Sequence, residues 1–166
     1  MSKRSLVHGA TVLGAFSFFQ CSADEPSASA INPSTDTDQR LAAACSTTNA
    51  ALNRPTTASS VESGAFPANA ATDGNTGTRW SSLFGDPQWI QVDLGSVQTI
   101  CGAQLNWEAA YGKAYQIQVS NDGNAWSNIY STTNSPGGTE NLTVNGSGRY
   151  VRVLGTQRAT QWGYSL

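Results

Sequence analysis

The sequence predicts an all-β domain, a sandwich or jelly roll, and three observations carry that prediction. The second half of the chain alternates apolar and polar residues with a period of two. Short clusters of Gly, Asn, Asp and Pro punctuate it, and no long stretch shows the period of a helix. Charged residues make up only 12% of the 166 positions, whereas Gly, Ser, Thr and Asn are abundant. That is about half the usual charged share. It suits an exported β-protein with long loops and suits a cytosolic helical enzyme poorly.

At the N-terminus Lys3 and Arg4 precede an apolar run from Leu6 to Phe19 that holds Val7, Val12, Leu13, Phe16, Phe18 and Phe19. This run is too short for a stable bilayer anchor and has the order of an export signal, so residues 1–23 read as a leader. Cleavage after Ala23 or Ala30 gives plain secretion. Lipid attachment at Cys21 gives a cell-surface lipoprotein instead, and that anchor is then the only membrane contact expected. Either route places the mature protein outside the cell. Residues 24–45 are mostly Ser, Ala, Asp, Thr and Pro; they bury too little apolar surface to offset their ordering entropy and read as a flexible linker. The folded unit is expected over residues 46–166, as a monomeric module.

Within it, Ile90, Val92 and Leu94 share a face of Trp89 to Leu94, and Cys101, Ala103, Leu105 and Trp107 share a face of the next run. Ala114 to Ser120 alternates through Tyr115, Ile117 and Val119. Asn121 to Asn124 is a turn by composition. Trp126 to Thr132, Glu140 to Val144 and Arg149 to Leu154 are further strands, separated by turns at Pro136-Gly137-Gly138 and Asn145-Gly146-Ser147-Gly148. Trp80, Trp89, Trp107 and Trp126 are assigned to the core. Cys45 and Cys101 are expected to form a disulfide in an oxidising compartment, worth about 3–5 kcal/mol if unstrained; the alternative is that Cys101 is a small core residue.

The functional classes narrow from charge and residue type. A formal net charge of −2 argues against nucleic acid, which needs a basic patch. The single histidine, His8, lies in the leader, so the mature chain lacks the commonest general base and zinc ligand. No catalytic residue is assigned. Two loop-like stretches set a charged group beside an aromatic ring: Ala71-Thr72-Asp73-Gly74-Asn75-Thr76-Gly77-Thr78-Arg79-Trp80 and Asn106-Trp107-Glu108-Ala109-Ala110-Tyr111. Such loops on a rigid scaffold suit recognition more than chemistry.

Five stretches in order carry a family resemblance. They are Asn53 to Ser60, Asp73 to Trp80, Gln88-Trp89-Ile90-Gln91-Val92-Asp93-Leu94-Gly95, Val119 to Trp126, and Arg149-Tyr150-Val151-Arg152. From about residue 51 to 166 the chain resembles the factor V/VIII type C, or discoidin-like, domain. Within it the chain is similar to family 32 carbohydrate-binding modules of the kind that bind β-glucan or chitosan-type chains. The resemblance implies a discoidin-like β-sandwich that binds polysaccharide without catalysis and anchors a degrading enzyme to its substrate. It places sugar contacts on Glu62, Arg79, Phe84 and Glu108, with Trp162 a neighbour. Phe84 departs from the polar or tyrosyl residue usual there.

The resemblance also implies a structural calcium at the Asp73 loop. It implies too that the final strand and any catalytic domain lie past Leu166, so that the sequence is a fragment. The physics of sugar binding agrees: an aromatic platform at Phe84 or Trp162 meets the C–H face, while Arg79 donates to hydroxyls and Glu62 and Glu108 accept from hydroxyls or an ammonium. Plainer roles stand beside these. Arg79 can brace its loop by pairing with a carboxylate, and Asp73 can simply hold a turn. Leu83-Phe84 can serve as an apolar adhesive tip for lipid or protein, and a glycosidase built on Glu62 and Glu108 is the remaining alternative.

Overall fold

The computed structural model describes residues 16–21 and 45–166. Among them there are seven strands and one short 3₁₀ turn: β1 (Phe16–Cys21), β2 (Cys45–Asn49), β3 (Thr56–Ala58), the turn Ala68–Ala71, β4 (Gln88–Asn106), β5 (Gly112–Ser120), β6 (Ser127–Thr132) and β7 (Thr139–Arg158). The hydrogen-bonded order is β2-β1-β4-β7-β5-β6, with β3 added on β4. The chain is the all-β sandwich expected.

Two long strands build both layers. The first half of β4 pairs antiparallel with β3 and with the second half of β7, from Gln88 opposite Gly155 to Asp93 opposite Tyr150. Its second half pairs with β1 and with the first half of β7, from Gln98 opposite Gly148 to Asn106 opposite Thr139. The register breaks between Asp93 and Gln98, where Gly95 takes a φ of 86°. A strand that bends at such a break can pass from one sheet to the other.

Alternation decides the core. Ile90, Val92 and Leu94 of β4, Tyr115, Ile117 and Val119 of β5, and Val151 and Val153 of β7 all turn inward and are buried. A second register shift between Ile100 and Gly102 lets Ile100, Ala103 and Leu105 all reach the same interior. Trp80 fills the end of this core at 1% exposure, and its indole N–H donates to the Ser60 carbonyl at 2.9 Å. Trp107 is buried as well.

Trp89 and Trp126, assigned to the core from sequence, are only half-buried. Trp126 lies instead under the Arg152 guanidinium, 4.1 Å from the ring centre, because it sits at the sheet edge before β6. The expected turn at Asn145 to Gly148 is also absent: those residues run straight through β7, opposite Gln98 to Ile100. Gly146 is there for space. A Cβ on it would fall 2.3 Å from Cγ2 of Ile129.

The disulfide links Cys45 of β2 to Cys101 of β4, with Cα atoms 5.7 Å apart and 56 residues between them in sequence. A loop of that length contributes about 4 kcal/mol by restricting the unfolded chain. Of the linker, residues 24–44 lie outside the described residues, and Cys45 already belongs to β2. Of the segment read as a leader, residues 1–15 and 22–23 lie outside as well. Its described part, Phe16–Cys21, is a strand of the sheet.

Two outcomes follow from this packing. Gly146→Ala should destabilise the domain by about 1–3 kcal/mol through overpacking against Ile129. In urea unfolding, adding Ile129→Ala should recover part of that loss. The second concerns Asp93, whose two carboxylate oxygens accept from Nε and Nη2 of Arg149 at 2.8 and 2.7 Å. That hydrogen-bonded pair, partly opposed by burial, holds the Asp93 carboxyl below the usual carboxylate range. A depressed folded value contributes stability at neutral pH that is lost as pH falls through it. The melting temperature of the parent should therefore drop more steeply below about pH 4 than that of Asp93→Asn.

Candidate functional site

The last described residues tie the site together. Trp80 N–H donates to the Leu166 carbonyl at 2.7 Å, and Leu166 N–H donates back to Trp80 at 3.0 Å. Ser165 pairs with Ser81 in an isolated antiparallel bridge, their hydroxyls 3.0 Å apart. On its other side Ser165 N–H donates to Ala110 and its carbonyl accepts from Glu108 N–H. Glu62 N–H donates to the Ser81 carbonyl at 2.7 Å. The segments carrying Glu62, Arg79 and Glu108 thus hang on one extended C-terminal stretch.

A second set of bonds brings the aromatic residues in. Ser82 N–H donates to Tyr164 O, and Tyr164 N–H donates to the Ser82 hydroxyl, each at 2.9 Å. The loops approach this closely only because Gly163 lacks a side chain; a Cβ there would lie 2.4 Å from the Ser82 carbonyl oxygen. The Tyr164 hydroxyl donates to Asp86, which also faces Nε of Arg158 at 3.4 Å. Burial, followed by its bond to Asp86, pushes the Tyr164 hydroxyl above the usual phenol range, so it stays protonated as a donor. Arg158 donates to the carbonyls of Gln161 and Trp162. The result is an edge-to-face pair of Phe84 and Trp162 with ring centres 5.5 Å apart, exposed to 50% and 52%.

All five residues singled out from sequence line one cavity of about 230 Å³: Glu62, Arg79, Phe84, Glu108 and Trp162. A neighbouring cavity of about 210 Å³, lined by Thr76, Asn106, Trp107 and Leu166, shares Arg79 and Glu108 with it. Arg79 stacks on Phe66 at 4.2 Å and, among the described residues, pairs with no carboxylate. The bracing role considered for it is therefore not the one seen. Among the described residues, Glu108 accepts from the Ala110 N–H at 3.1 Å and neither it nor the exposed Glu62 carboxylate holds an ion pair. One cation and two anions face the cavity with bonding capacity left over.

Glu140 is the residue that sequence reasoning missed. It is a buried carboxylate on β7 that accepts from Trp107 Nε1 at 2.9 Å, the Ser135 hydroxyl at 2.6 Å and the Tyr115 hydroxyl at 3.2 Å. Burial, then the Glu140 charge, raises the Tyr115 hydroxyl above the phenol range. Glu140 thereby fixes the Trp107 ring, next to Glu108. Its only sequence signal is an acidic residue at an inward position of an alternating strand.

At the candidate calcium loop, Asp73 accepts from Asn75 N–H at 2.8 Å and from the Thr78 hydroxyl at 2.7 Å. No group of three or more His, Cys, Asp or Glu gathers among the described residues. The two bonds from Asn75 and Thr78 let Asp73 shape the turn that delivers Arg79.

Fold and site together define a β-sandwich recognition module whose ligand loops cluster at one end. The chain belongs to the F5/8 type C domain family, which matches residues 55–166. Among solved structures, chitosan-binding module 1 of a chitosanase/glucanase from Paenibacillus sp. IK-5 is 50% identical, with a TM-score of 0.69 over 72% of this chain and 94% of that one. Module 2 of the same enzyme, solved in complex with chitotriose, is 47% identical, with a TM-score of 0.68 over 71% and 95%. A polysaccharide lyase 8 family protein, HylA, of Enterococcus faecalis is 34% identical over 98 residues; the match takes in 58% of this chain and 7% of that protein.

Replacing Glu140 by Leu should strand three buried donors and cost at least about 2 kcal/mol. The expected signs are a lower melting temperature and red-shifted tryptophan emission, with Glu140→Gln closer to the parent because it keeps an acceptor.

Proposed function

We propose that this chain is a non-catalytic carbohydrate-binding module that holds an exported polysaccharide-degrading enzyme on β-glucan or chitosan-like chains. The observation that carries the reading is the meeting of Glu62, Arg79, Phe84, Glu108 and Trp162 around one open cavity, their charges unspent on one another. A sugar ring needs an apolar face to stack on and fixed polar groups at its rim, and this cavity offers both. Two acidic side chains beside an open cleft favour an ammonium-bearing sugar, and the modules most alike in sequence that are described above bind chitosan. Exposed ion pairs contribute about 0–1 kcal/mol each, so a single site binds modestly. Tethering then raises local concentration at an insoluble substrate, which is where such modest binding is useful.

Affinity electrophoresis in gels containing chitosan, laminarin, cellulose derivatives or galactan tests this. The parent should be retarded in the chitosan or β-glucan gel. Glu108→Ala and Glu62→Ala should each lose most of that retardation, roughly three- to tenfold in affinity, and Phe84→Tyr should strengthen it. No reducing ends should appear in solution. Leu83, Phe84 and Trp162 form an exposed apolar cluster at the same rim, which favours lipid adhesion as the second reading. Liposome sedimentation without glycan retardation would put that reading first.

A further inference from the structure

One layer of the sandwich joins the first half of β4 to the second half of β7, then β5, then β6. Its outer face carries polar side chains that the cavity of Glu62 and Glu108 does not use. Register sets them side by side: Arg152 of β7 lies opposite Gln118 of β5, and Gln118 opposite Asn128 of β6. They turn outward because Val151, Val153, Ile117 and Val119, their neighbours along the strands, turn into the core.

Arg152 decides which way each amide of this group faces. Its Nε donates to Gln118 Oε1 at 2.6 Å, and a guanidinium accepts nothing, so the oxygen of Gln118 must point at it. The NH₂ of Gln118 then donates away from Arg152, to Gln116 Oε1 at 2.8 Å and to Asn128 Oδ1 at 2.6 Å. Three amide oxygens are spent inside the group, and what it turns outward is donors. These are the NH₂ groups of Gln116 and Asn128 and the two Nη atoms of Arg152, none of which hydrogen-bonds among the described residues. Asn128 is exposed, and Gln116 and Arg152 are half-buried.

The charge is unmatched as well. The ion pairs among the described residues join Asp93 to Arg149 and Asp86 to Arg158, whereas Arg152 lies over the Trp126 ring. Burial lowers the Arg152 pKa from the ordinary arginine value, and no neighbouring carboxylate offsets it. A partly desolvated cation flanked only by donors is short of an anion.

We propose that Arg152, Gln116 and Asn128 form a carboxylate-binding site whose ligand class is a uronic acid, free or within a polysaccharide. The fork of the guanidinium matches the two oxygens of a carboxylate, and the amide donors suit the sugar hydroxyls beside it. A protein partner fits less well, because none of the large exposed apolar residues belongs to β5, β6 or β7. The site is separate from the cavity of Glu62 and Glu108 and does not rest on the reading of that cavity.

The test follows the isotope-labelled full chain by NMR during titration with sodium glucuronate or with an oligogalacturonate, against sodium chloride at matched ionic strength. The side-chain NH₂ signals of Asn128 and Gln116 should shift and saturate. Saturation with both ligands assigns the site to a single uronate, and saturation with the oligomer alone assigns it to the polymer. Arg152→Gln should weaken binding about tenfold by removing the charge. Asn128→Asp keeps the oxygen that Gln118 needs but replaces the outward donor by an acceptor; it should weaken binding about fivefold at an unchanged melting temperature. Glu108→Ala should leave the titration unchanged. Shifts that do not saturate, that sodium chloride reproduces, or that survive Arg152→Gln and Asn128→Asp would overturn the proposal. So would a response lost in Glu108→Ala, which would place the anion in the cleft.

Discussion

The ladder between β4 and β7 is the constraint on which the other parts of this domain depend. These are the two longest strands, they pair in both layers, and β1, β3 and β5 add directly to one or the other, with β2 and β6 following on β1 and β5. Their shared register break at Asp93 and Gln98 converts one ribbon into two faces of a sandwich. At that break the Asp93–Arg149 fork replaces the missing backbone bonds with two charge-assisted ones.

The site is a consequence of where this ladder ends. β4 delivers Asn106, Trp107 and Glu108 at its end, and β7 delivers Arg158 and the loop of Trp162 at its own. Between them lies the Tyr164–Leu166 stretch, bonded to the Trp80–Ser82 segment on one side and to Glu108 and Ala110 on the other. Each recognition residue is therefore one or two positions from a backbone hydrogen bond. The backbone under these side chains is therefore already ordered, which leaves only their rotamers to be fixed by any ligand.

Much of this was legible in the sequence, for reasons that differ by residue. The inward triplets at Ile90, Val92 and Leu94 and at Tyr115, Ile117 and Val119 announce their strands because burial on one face imposes strict alternation. The site residues were legible only by family resemblance, because Glu62, Arg79, Phe84 and Glu108 converge through tertiary bonds that no local pattern encodes. Gly146 and Trp126 misled for opposite reasons. A glycine placed for clearance looks like a turn, and a tryptophan stacked under Arg152 at an edge looks like core. Glu140 was passed over because a buried carboxylate surrounded by three donors is invisible until the donors are in place.

The first strand and the cavity meet on a single neighbour, β4. Phe16 pairs with Leu105, and Trp107 and Glu108 follow directly as β4 enters the cavity wall. Whatever strand lies beside Ile100 to Leu105 fixes the twist with which β4 reaches that wall, since a strand paired on both edges has less freedom than one left open. Trp107 is held from the opposite side by Glu140 of β7, so β4's end is set by two neighbours rather than one. The position of the Glu108 carboxylate thus depends on the backbone pairing of β4 with β1 on one edge and β7 on the other, and the cavity wall is a consequence of that ladder.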